Sequence, residues 1–151
     1  MANTQAMCTS FKGEILQAYH NFGTTATRAT TAADTFKAAL YLTSATVNAS
    51  TTAYSATDEV SGTNYSPGGV TVTNAVAPAT SGTTAYWTPS ASIVYTNVTL
   101  ATSFDCVLIY NSTQSNRAVS VHTFGAQTVT AGTFTLTMPT NDATNALLRI
   151  A

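Results

Sequence analysis

Apolar positions change period once along the chain. Between Ser10 and Phe22, Phe11, Ile15, Tyr19 and Phe22 recur at i, i+4, i+8 and i+11, the spacing of one helical face. Ser10 offers an N-cap and Gly23 a stop, although Gly13 weakens the helix by about 1 kcal/mol relative to Ala. The pattern predicts one helix over 10–22. Residues 24–35, rich in Thr and Ala, read as an extended connector. From Phe36 onward the period is two. Phe36, Ala38, Leu40 and Leu42 alternate with Lys37, Ala39 and Tyr41; Val70 and Val72 alternate with threonines; Tyr86 and Trp87 lie between Gly82 and Pro89. Further alternating segments are 98–100, 119–122 and 133–138, and Leu148 and Ile150 finish the chain. Branching at Cβ suits Val and Thr to the pleat.

These segments predict about eight short strands separated by turns, an antiparallel β-sandwich or jelly-roll-like fold of the all-β class. The expected organisation is one domain over 1–151, with an arm, helix and connector in 1–35 and the sandwich in 36–151. Segment 104–110 differs from the other strands. Phe104, Cys106, Leu108 and Tyr110 point one way, and Val107 and Ile109 the other. Both faces must be covered, the second by the N-terminal helix or by another subunit. Residues 58–69 are dense in turn formers; Gly62, Pro67, Gly68 and Gly69 read as structural turn positions. Pro67-Gly68-Gly69 lacks the lysine and the spacing of a phosphate loop.

Composition narrows the function. Charged residues are 7% of 151, with net charge −1, while Thr occurs 32 times and Ala 25 times. A basic face for nucleic acid is missing, and no apolar run reaches the 18 residues of a membrane helix. Met1 to Gln5 has neither a basic nor an apolar region, so a signal peptide is not expected. Cys8 and Cys106 have no CxxC neighbour and are expected to be reduced thiols.

The acids and imidazoles are too few and scattered for an active site, and neither a metal nor a cofactor is expected. His20 and His122 form no ligand pattern; His20 is placed at a helix end, His122 on a solvent-facing strand position. Adjacent Asp58 and Glu59 would point to opposite faces of a strand and are read as turn-capping. Asp105 is expected to be partly buried, paired with Arg117 or Arg149. Four Asn-x-Ser/Thr matches are expected by chance in a chain so rich in hydroxyls. A charge-poor surface is poorly protected against association, which suits a protein whose edges are covered by neighbours.

Several segments together resemble a group of tailed-bacteriophage virion structural proteins: 11–16 with His20-Asn21-Phe22-Gly23, 34–41, 59–70, 108–111, Phe124-Gly125, 132–136, Pro139 and 145–150. Where that group often shows a second glycine this chain has Asn64, which tolerates the same left-handed backbone. The resemblance implies a non-enzymatic virion protein made in the host bacterial cytoplasm. The favoured position is that of a capsid decoration, or cement, protein outside the head, bound to the major capsid protein and to copies of itself as a homotrimer. A head–tail connector or tail accessory protein is the alternative. A carbohydrate-binding module, using Tyr86, Trp87 and Tyr95, is the alternative of another class. No small-molecule substrate is expected. Subunit contacts are expected from residues 1–10, laid against a neighbour, from Phe11, Ile15, Tyr19 and Phe22 on the helix, and from Val107 and Ile109.

Overall fold

The computed structural model describes residues 2–23 and 33–151; most of the expected connector, 24–32, lies outside the described residues. The elements are β1 (Ala6–Met7), α1 (Thr9–Leu16), β2 (Phe36–Leu42), β3 (Val70–Thr71), β4 (Ala79–Ser81), β5 (Thr84–Trp87), β6 (Ile93–Asn111), β7 (Arg117–Leu136) and β8 (Leu148–Ile150). They form two antiparallel sheets, ordered β1-β7-β6-β2-β3 and β4-β5-β8. The fold is all-β and sandwich-like, with one short helix.

The strands are less uniform than the alternation predicts. Segments 98–100 and 104–110 are parts of β6, a strand of 19 residues, and 119–122 and most of 133–138 belong to β7, of 20 residues. Together they make a long hairpin that bends. Cys106 pairs with Thr123, Phe104 with Gln127, and Leu100 with Val129. The two strands therefore advance unequally on either side of Phe104, and such bulges kink a ribbon and tighten its twist. The Phe124 and Phe134 rings, ten positions apart on β7, lie 5.3 Å apart, although ten residues of straight strand span about 33 Å. The distal half of the ribbon thus doubles back over the sheet, where the Tyr95 hydroxyl donates to the Ala38 carbonyl at 2.8 Å.

This bend corrects the account of the two-faced segment. Val107 and Ile109 are 2% and 1% exposed. Ile93 and Leu136 from the returning ribbon, with Met138 and Leu147, surround them around a small cavity of about 140 Å³. The chain itself covers the second face, so neither residue is available to another subunit. The helix packs on β7 instead.

The helix is also shorter than its apolar period. It starts at Thr9, with Cys8 at the N-cap position and no side-chain cap; Ser10, the expected cap, has a buried hydroxyl oxygen without a hydrogen-bond partner. It ends at Leu16. The N–H groups of Gln17 and Tyr19 both donate to the Glu14 carbonyl, and Ala18 turns left-handed at φ 57°. That reversal folds His20 and Phe22 back onto Phe11, with ring centroids 4.8 and 6.1 Å away. Aromatic packing of this kind outweighs the remaining helical turn, whose propensity is worth only tenths of a kcal/mol per residue.

Where an arm laid against a neighbour was expected, Asn3, Thr4 and Cys8 are hydrogen-bonded within the chain and Ala6–Met7 forms the edge strand β1. β1 pairs with β7 through Ala6↔Val121 and Met7↔Ser120. Thr4 donates to the Val47 carbonyl and Cys8 to that of Val119, both at 3.0 Å. The Asn3 amide donates to the Leu42 carbonyl at 3.0 Å and to Asp105 Oδ1 at 2.6 Å, and its oxygen accepts from the Val47 N–H at 2.9 Å. A segment with so many internal partners needs no partner chain to order it.

Candidate functional site

Two polar clusters and one apolar groove hold most of the residues singled out from the sequence. The first cluster lies beneath the helix end. Glu14 is 6% exposed; its carboxylate meets His20 Nε2 at 2.7 Å and accepts from Arg117 at 2.6 Å. The Asn111 amide lies 3.1 Å from His20 Nδ1 and donates to Asp34 Oδ2 at 2.8 Å, an oxygen that also accepts from the Asn21 N–H. Arg117 spreads over the Tyr19 ring at 4.2 Å from its centroid, a cation–π contact. The cluster joins the helix end, the start of β2 and the closed end of the long hairpin.

His20, expected at a helix end, lies four residues beyond the end of α1 and inside this cluster. Burial lowers its pKa, against the opposing pull of Glu14. His122 does not face solvent freely. Burial pulls its pKa down to about 4, and Ser120 Oγ lies 2.8 Å from its Nε2. The Asp105 partner is Asn3, while Arg117 serves Glu14 and Arg149 reaches the Ala143 carbonyl; the expected Asp105–arginine pair does not form.

The second cluster surrounds Glu59. Its Oε2 accepts from the Tyr54 hydroxyl at 2.6 Å, and its Oε1 accepts from the Tyr65 hydroxyl and the Gly68 N–H, each at 2.8 Å. Tyr65 Oη in turn accepts from the Leu40 N–H, and Tyr110 donates to the Gly68 carbonyl. Glu59 thus fastens the 58–69 loop to β2, whereas Asp58 is exposed, with φ 58°. Gly69 sits at φ +71°, and a Cβ there would fall 1.7 Å from the Ala38 carbonyl oxygen; one on Gly62 would fall 2.0 Å from that of Thr99. Asn64 adopts φ 60° and ties the same loop to Asn97. The repeated tyrosines around an acidic turn were the signal for this cluster; its geometry depends on strands remote in sequence.

The six expected contact residues divide. Phe11, Ile15 and Phe22 line a groove of about 190 Å³ between the helix and the second sheet, with Trp87 and Ile150 opposite. Tyr19 turns away under Arg117, and Val107 and Ile109 lie under the bent ribbon. Phe11 is 1% exposed and forms part of the core. The proposed sugar platform is dispersed as well. Trp87 and Tyr95 are each 2% exposed, their polar tips bonded to the carbonyls of Val76 and Ala38; only Tyr86 of the three is half-open.

Cys8 and Cys106 are both free and buried, and burial pushes their thiols up to about 11 and 12. Neither is a thiolate near neutral pH, the form a nucleophile or metal ligand requires. Among the described residues no three His, Cys, Asp or Glu side chains gather as a metal site, and no helix is long and apolar enough to cross a membrane. Among the described residues the one His–carboxylate pair, Glu14–His20, is taken up by Arg117 and Asn111. No known protein family, curated protein or solved structure matches the chain.

Proposed function

We propose that this chain is a non-enzymatic virion structural protein of a tailed bacteriophage, placed as a decoration protein on the outside of the head. Its partners in this reading are the major capsid protein and further copies of itself. The observation that carries it is the surface of the bent ribbon. Residues 118–141 contain no Lys, Arg, Asp or Glu, and residues 125–128, 130, 131, 133 and 135 are exposed. A free-standing protein keeps soluble by charge; a surface of threonine, alanine and glycine suits one that rests against neighbours. The resembling segments add support on the sequence side; within them Glu14, His20, Asn21, Asp34, Glu59, Gly69 and Asn111 serve hydrogen bonding and packing. A head–tail connector or tail accessory protein is the second reading, since the same uncharged surface would serve in a ring.

Quantitative mass spectrometry of purified virions tests the assignment. A decoration protein is present in proportion to the major capsid protein, and a connector at the level of a single ring. Absence from purified particles overturns the virion reading itself.

A further inference from the structure

β1 covers the outer edge of β7 only at Ser120 and Val121. Beyond His122, β7 pairs with β6 on one side, and among the described residues no strand lies on the other. Such an edge presents a row of N–H and C=O groups ready to pair with another strand, and proteins ordinarily block it with Lys, Pro or inward charge. This edge has no charged residue through position 141 and no proline before Pro139. Bulges recur along β7 from Thr123 to Phe134 and bend the strand away, and Ala131 is left-handed at φ 45°; the last residues are regular, with Phe134, Thr135 and Leu136 opposite Tyr95, Val94 and Ile93. There Phe134 and Leu136 are half-buried and Thr133 and Thr135 exposed, the alternation of a strand with one covered face.

We propose that residues 132–136 of β7 form the association edge of this protein and take a strand from a second copy of the same chain. The partner follows from charge. A strand without ionised groups offers nothing for an acidic or basic partner to recognise, yet two copies meet there without like charges opposed, and a net charge of −1 adds little repulsion between them. Threonines brought opposite one another across such a junction make favourable cross-strand pairs. Two copies joined β7 to β7 about a two-fold axis close on themselves, while addition of β7 to a different edge of the next copy gives a ring. The inference deepens the self-association part of the virion reading by naming the edge the copies share, and because it is tested on the isolated chain its failure leaves the particle assignment to the virion measurement.

Sedimentation velocity on the purified full chain tests it. The wild type is expected at two or three times the 15.6 kDa chain mass, two marking the β7–β7 arrangement and three the ring. The double variant Thr133→Lys/Thr135→Lys, altered at exposed positions, is expected at the single-chain mass, with association weakened about tenfold or more. Ser44→Lys/Thr57→Lys, which adds the same charge at exposed loop positions, should associate as the wild type does, and circular dichroism should be alike for all three. Amide hydrogen exchange at 132–136 on wild type should quicken as dilution separates the copies, a reading that needs no variant to fold. A wild type that stays single up to its solubility limit, an oligomer that survives the edge lysines, or exchange at 132–136 indifferent to dilution overturns the proposal.

Discussion

Gly69 shows how a single position constrains the molecule. Its backbone is left-handed, and the space where a Cβ would stand belongs to the Ala38 carbonyl. Gly69→Ala must meet both the left-handed penalty of about 1–2 kcal/mol and a displacement of the loop from β2. Urea unfolding should show a loss of at least about 2 kcal/mol, and a near-neutral change would mean that the 66–70 turn is free of the strand. Gly82→Ala is the comparison: it too has positive φ, but nothing lies within 4 Å of its Cβ position, so it should show the conformational penalty alone. The glycines read as turn formers in the sequence are alike in composition; their differing intolerance comes from what the fold places against them.

At the scale of elements, the first strand and the helix were the least legible parts. Residues 2–8 carry few apolar side chains, so no periodicity marks β1; its partners Ser120 and Val121 are more than a hundred positions away. The helix period continued past its true end because Phe22 is indeed apolar and inward, though reached through a left-handed turn at Ala18. β2, by contrast, is predicted and observed over the same seven residues, 36–42, because strong alternation there coincides with burial on both faces. The Asn3 side chain tests whether the N-terminal segment is held by its own chain. Asn3→Ala removes three hydrogen bonds, and net contributions of about 1 kcal/mol each give an expected loss of about 2–3 kcal/mol in the unfolding of the single chain. An unchanged midpoint would return the segment to a neighbouring subunit.

The whole molecule carries its buried imidazoles and thiols as a pH dependence. His122 titrates near 4 when folded and near 6.5 when unfolded, and His20 is shifted in the same direction. The unfolded chain therefore binds more protons between those values, so stability is complete above about pH 6.5 and is lost as the pH falls toward 4. The His122 contribution is about 3 kcal/mol. The thiols act at the other end. Their folded values lie above the ordinary 9.0, so their contribution is present below pH 9 and lost as the pH rises beyond it. Thermal melts from pH 4 to 10 should thus trace a plateau between about 6.5 and 9, and His122→Gln should flatten the acidic slope. A variant with an undiminished slope would show that His122 is not held neutral by burial.

The sequence by itself determined the all-β class, the place of β2, the turn-rich character of 58–69 and the poverty of charge. Each of these is written in local composition and period, which act through neighbouring residues. It also marked breaks of register, though illegibly: the apolar positions of β6 run Ile93, Tyr95, Val98, Leu100, Phe104 and Cys106, and the slips in phase read as gaps between strands until pairing with β7 made them bulges in one. Only the tertiary structure decided that the long hairpin doubles back, that Val107 and Ile109 are sealed by their own chain, that His20 and Glu14 meet Arg117, and that among the described residues no strand pairs with the outer edge of β7 beyond His122. Those outcomes depend on which distant segments become neighbours. Covering the second face of 104–110 required some apolar surface, and the bend brought it from the same molecule, so burial that alternation could only demand was supplied by topology.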